Sequence, residues 1–205
     1  IGQLLALTRI YTVYFSEPFY VWDGNETLNK QNKLYKITLA AMFSALIYVA
    51  TVFLKLPLPG KGYANFGDGF VILAALMLGP IYGAAAAGIG SAISDLSLGY
   101  VLYAPATFVI KAAMAVVAAL IYQYITKTGF RYKTVAVVIS AFPAEIIMVL
   151  GYFVFEFFIY GIAVAAVDTL GNSIQGMVGL ISVAIMFSAV NKSGLISKIR
   201  GTDLH

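Results

Sequence analysis

Cysteine is missing from this 205-residue chain, and its single histidine, His205, is the last residue. The first absence excludes disulfides and thiolate metal centres and says nothing of compartment. The second leaves no imidazole for a metal site or a catalytic base. Charge is scarce too. Asp, Glu, Lys and Arg make up 11% of the residues, against about 25% in an ordinary soluble domain. No G-x-x-x-x-G-K-[ST] phosphate loop occurs, which excludes ATP hydrolysis by that machinery within this chain. No soluble catalytic domain of useful length interrupts the apolar sequence, and no inverted repeat of the secondary-transporter kind stands out.

What is abundant is apolar sequence, 61% of the chain. A soluble protein of this size cannot hide so much apolar surface, so lipid is the natural solvent for much of it. The pattern predicts an all-α integral membrane protein with six transmembrane helices of uneven length, both termini cytoplasmic. The apolar segments run over residues 37–54, 70–78, 81–96, 104–125, 134–160 and 170–190. The second is about half a span and stops at Gly79-Pro80. It reads as a half-helix whose end neighbours must cover, because bare backbone is not tolerated against lipid. Residues 33–200 form the membrane domain. Residues 1–32 form an N-terminal extension that lacks a span-length apolar run and receives no function.

Basic residues set the expected orientation. Lys30, Lys33 and Lys36 precede the first segment, Lys127, Arg131 and Lys133 separate the fourth from the fifth, and Lys192, Lys198 and Arg200 follow the sixth. With both ends inside, all nine fall on the cytoplasmic face. The connection "LPLPGKGYANFGDGF", Leu56 to Phe70, then faces outward. It carries two prolines and four glycines, and its polarity and pliability predict a loop that folds over something.

The polar residues converge on that outward face. Asp68 opens the second segment, Asp95 closes the third, and Glu156 and Asp168 flank the last connection. Tyr100 and Tyr103 in "SDLSLGYVLYAP" offer flat rings for a small heterocycle. Asn172 and Gln175 lie three apart, on one helical face. Lys111, two turns into the fourth segment, and Glu145, midway along the fifth, are charges at bilayer depth, rare unless paired or lining a cavity. A structural pair of Lys111 with Asp95 or Glu145 competes with a binding role. With Asn65 from the loop, the candidate substrate contacts are Asn65, Asp68, Asp95, Tyr100, Tyr103, Lys111, Glu145, Asn172 and Gln175, with no metal ligands and no catalytic residues. Small-residue stripes at spacing four (Ala84, Gly88 and Ala92; Ala86, Gly90 and Ser94) favour close helix packing. Ala41 and Ala45 on the first helix serve packing equally well or an outside partner.

From about Lys33 to Lys198 the chain resembles the substrate-binding S components of energy-coupling factor (ECF) transporters. The resemblance rests on the six-segment pattern, the Ala41/Ala45 spacing, the run "NFGDGFVILAALMLGPIYGAAAAGIGSAISDL" and the following "GYVLYAPATFVIKA"; it is most like the pyridoxine and hydroxymethylpyrimidine group. It implies a multi-pass protein of a bacterial or archaeal cell membrane that captures a vitamin from outside beneath a first-loop lid. It also implies partners: a transmembrane coupling subunit, on which Ala41 and Ala45 dock, and two ATPase subunits that bind the ATP and Mg, so that the chain itself is not an enzyme and carries no cofactor. The competing expectation is a stand-alone proton-coupled transporter of a small heterocycle, with Asp95, Glu145 and Lys111 as proton relay.

Overall fold

The computed structural model describes residues 26–57 and 63–192; most of the expected N-terminal extension and the tip of the first loop lie outside the described residues. Five helices and one small hairpin make up the described chain. Helix α1 spans Glu26–Phe53, strands β1 (Lys55–Pro57) and β2 (Tyr63–Asn65) pair antiparallel, and α2 (Gly67–Ser97), α3 (Ala104–Lys127), α4 (Lys133–Tyr160) and α5 (Ile162–Lys192) follow. All five helices are long and apolar enough to cross a membrane, α1 over Lys33–Phe53. Large apolar side chains such as Met42, Ile81, Phe142, Leu150 and Ile185 stand exposed around the bundle, an outer surface suited to lipid rather than water.

The six expected segments thus form five helices, and the reason lies at Gly79-Pro80. The second and third segments are joined in α2, but Gly79 breaks the run with φ 79° and ψ −177°, a conformation that only glycine reaches without strain. Proline at 80 removes a backbone donor at the same point. The two arms then fold back on each other. A Cβ added to Gly83 would stand 2.7 Å from the Cα of Ala75, eight residues earlier, an approach impossible along a straight helix. Asp68 and Asp95 line one cavity, whereas a straight helix would hold them about 40 Å apart. The first arm, Gly67 to Leu78, rises only about 18 Å, and its residues Val71 to Leu76 are all buried. Neighbours cover the half-span, as its length requires.

The helices close a ring: α2 lies against α3 and α5, α3 against α4, and α4 against α5, while α1 packs on α2 at the periphery. Small residues permit these approaches. Gly90 meets the backbone of Ser44 in α1, Gly88 meets Phe108 in α3, and Ser44 Oγ donates to the Ala86 carbonyl at 3.1 Å. The third-segment stripes therefore act within the bundle. Ala41 and Ala45 point the other way and are exposed. Helices α4 and α5 meet at a one-residue corner, Gly161, with φ 85° and ψ 171°. Away from the hairpin the interior is apolar, built on Ile72, Met114, Val137, Met148, Val183 and Phe187. Polar groups collect at the hairpin end instead.

Candidate functional site

A cavity of about 320 Å³ opens at the hairpin end of the ring, within the size range of small-molecule sites. Each helix contributes one face to it, at helical spacing. From α2 come Asp68 at the start of the first arm and Ser91 and Asp95 at the end of the second; from α3 and its leading turn come Tyr100, Tyr103, Thr107 and Lys111. Helix α4 presents Tyr152, Glu156 and Tyr160, and α5 presents Val164, Asp168, Asn172 and Gln175. Thr51 at the end of α1 and Asn65 at the end of β2 complete the lining.

The floor is an ion pair held by an amide. Lys111 Nζ donates to Asp68 Oδ1, and both residues are buried. Gln175 Nε2 donates to Asp68 Oδ2 at 2.7 Å. Both carboxylate oxygens of Asp68 thus have charge-assisted or amide donors, which a charge in a low-dielectric interior requires. The Lys111 ammonium also lies 5.6 Å from the centroid of the Tyr152 ring, within cation–π range, and the Tyr152 hydroxyl pairs with Thr107 Oγ1 at 3.0 Å. Asn65 has a structural duty: its Oδ1 accepts from Gly67 N at 2.8 Å and so fixes the turn that launches α2.

The wall nearer the connections is aromatic and acidic. Tyr103 is its hub, edge-on to Tyr100 (ring centroids 6.1 Å) and Phe155 (5.1 Å) and near-parallel to Tyr160 (6.3 Å). Burial, and then the neighbouring charge of Glu156, push the Tyr103 hydroxyl well above the usual tyrosine range, with Tyr160 and Asp168 adding to the shift; it stays a neutral donor and acceptor. Glu156 is 4% exposed, and its Oε2 and the Nδ2 of Asn172 lack hydrogen-bond partners among the described residues.

Of the residues expected from the sequence, Asn65, Asp68, Asp95, Tyr100, Tyr103, Lys111, Asn172 and Gln175 line the cavity. Glu145 is not among its walls. It sits one turn deeper on the α5 side, its Oε1 2.1 Å and the Asp68 Cβ 3.0 Å from where a Cβ on Gly179 would stand. The partner of Lys111 is also corrected: it is Asp68, not Asp95 or Glu145. Thr51, Ser91, Thr107, Tyr152, Glu156, Tyr160 and Asp168 line the cavity without having been singled out as contacts. A signal for three of them was present, since Tyr152, Glu156 and Tyr160 recur every four residues on one face of α4.

A ring of lipid-facing helices around a polar cavity open at one end defines a membrane-embedded small-molecule binding protein. Residues 31–192 match the model of the family "ECF-type riboflavin transporter, S component", and the chain belongs to that family. It is 32% identical over 136 residues to an uncharacterized protein of Pyrococcus woesei, a match covering 66% of this chain and 87% of that one. It also resembles a solved structure described as the S component of a bacterial ECF transporter, with TM-score 0.61 and 23% identity over 80% of this chain and 97% of the other; at that identity the likeness shows the fold. The family is named for riboflavin; the pyridoxine and hydroxymethylpyrimidine assignment has no counterpart in these matches.

Proposed function

We propose that this chain is the high-affinity substrate-binding subunit of an ATP-driven ECF transporter that imports a small water-soluble vitamin or precursor of the pyridoxine or hydroxymethylpyrimidine type. The observation that carries this reading is the cavity itself. It opens at one end of the bundle and is floored by the buried Asp68–Lys111–Gln175 cluster. Nanomolar affinity for a ligand of a dozen heavy atoms takes about 1 kcal/mol per atom and therefore near-complete burial, which a lid over that opening would provide.

With both termini cytoplasmic and each arm of α2 counted as its own segment, six segments return the chain to its starting side and the cavity faces outward. Basic Lys33, Lys127, Arg131, Lys133 and Lys192 then share the inner face. The β1–β2 hairpin, whose second strand lies against α5, belongs to a lid that closes over captured substrate. Exposed Ala41 and Ala45 on peripheral α1 leave a smooth stripe for the transmembrane coupling subunit, and two ATPase subunits supply ATP hydrolysis. The chain performs no chemistry on its cargo.

Calorimetric titration of the purified chain in detergent against pyridoxine, pyridoxal, hydroxymethylpyrimidine, thiamine and riboflavin tests the reading. Tight one-to-one binding of one compound, lost in Asp68→Ala, is expected; binding that survives the substitution removes the cavity from the account.

A further inference from the structure

The charge balance of the cavity narrows its cargo. Among the described residues, four carboxyl side chains line it, Asp68, Asp95, Glu156 and Asp168, and Lys111 is the only basic one. That single ammonium is committed to Asp68. The opposite wall therefore holds acids without a cationic partner among the lining side chains. One of them, Glu156, is almost wholly buried and presents an oxygen with no donor. A buried acceptor left without a donor costs free energy that a ligand N–H would recover. Among the other lining residues, Asn172 Nδ2 on α5 is a buried donor without an acceptor among the described residues. Tyr100, Tyr103 and Tyr160 add ring faces, whose quadrupoles attract positive charge.

We propose that the cavity selects a cationic nitrogen heterocycle, its positive charge set against Glu156 and its ring laid against Tyr100, Tyr103 and Tyr160, with Asn172 donating to an acceptor atom of the same ligand. The inference rests on the reading of the chain as a substrate-binding subunit and specifies what that subunit carries. An anionic ligand would meet carboxylates of its own sign. A ligand edge made of carbonyl acceptors would leave Glu156 Oε2 without a donor, and it could recruit Lys111 only by stripping the buried Asp68 of its counter-ion.

The test is calorimetry on the whole chain in detergent at neutral pH with five probes: thiamine and pyridoxamine as cations, pyridoxine and riboflavin as uncharged ligands, and 4-pyridoxate as an anion. A cation is expected to bind at least about tenfold tighter than every uncharged or anionic probe, and Glu156→Gln to weaken it by roughly 10- to 100-fold, the loss of one charge-assisted hydrogen bond. Should Glu156→Gln unfold, Asp168→Asn, at a more exposed position of the same wall, supplies the charge deletion, with a smaller loss in the same direction. Failure of both cations to bind overturns the inference, as does a cation affinity that neither variant alters. Tight binding of riboflavin in their place would do so while leaving the binding-subunit reading intact. If no probe binds and none is taken up with coupling and ATPase subunits present, that reading falls as well.

Discussion

Lys111 and Asp68 come from helices 43 positions apart in sequence, and each is tolerable at this depth only because of the other. Removing one partner of such a pair leaves an uncompensated buried charge, at a cost of about 3–5 kcal/mol. Lys111→Met is therefore expected to lower the thermal unfolding midpoint sharply and to abolish ligand binding, and the double variant with Asp68→Asn to recover most of the stability but not the binding. Thermal unfolding in detergent of the two singles and the double separates these terms; an undisturbed Lys111→Met protein would contradict the pairing. Individual polar residues were legible in the sequence because charge is so rare here: Lys111, at bilayer depth, had to be paired or cavity-lining, whereas Asp68 and Asp95 also read as solvated segment ends. Which acid pairs with Lys111 was not legible, because the fold-back of α2 decides it. Glu145 entered the candidate set because a charge midway along a span is rare unless it is paired or lines a cavity. Its depth, beside Gly176 and Gly179, depends on how α5 packs.

At the scale of elements, the bend in α2 matters most. Its position was legible from Gly79-Pro80, where an apolar run of half-span length stops. The sharpness of the bend was not, since it depends on glycine at 83 allowing one arm to lie on the other. Gly83→Ala puts a methyl group 2.7 Å from backbone at Ala75, so the arms must separate. The expected cost is about 1–3 kcal/mol, typical of overpacking, together with weaker ligand binding, because Asp68 and Asp95 sit on opposite arms. Thermal unfolding and titration of this variant check both; unchanged stability would mean that the arms do not touch there. The start of α5 at Ile162, eight residues before the apolar segment read from the sequence, has a simpler cause. Asp168, Asn172 and Gln175 interrupt its hydropathy while facing the cavity, so the polarity that marks a site blurs the edge of the helix carrying it.

For the whole molecule, capture and docking are assigned to different surfaces: the cavity lies within the ring of α2 to α5, and the alanine stripe lies on α1 outside it. Replacing both Ala41 and Ala45 by tryptophan should therefore leave the substrate dissociation constant within about threefold, or about 0.6 kcal/mol, while preventing copurification with the coupling subunit. Loss of binding and docking together would place the stripe inside the fold instead. As a proposed substrate-binding subunit, this chain is expected to bind cargo and to depend on partners to move it. Uptake of the bound vitamin into proteoliposomes, with and without the coupling and ATPase subunits, tests it most directly. ATP-dependent uptake only when all subunits are present is the expected result. Uptake by this chain alone, driven by a proton gradient, would contradict it.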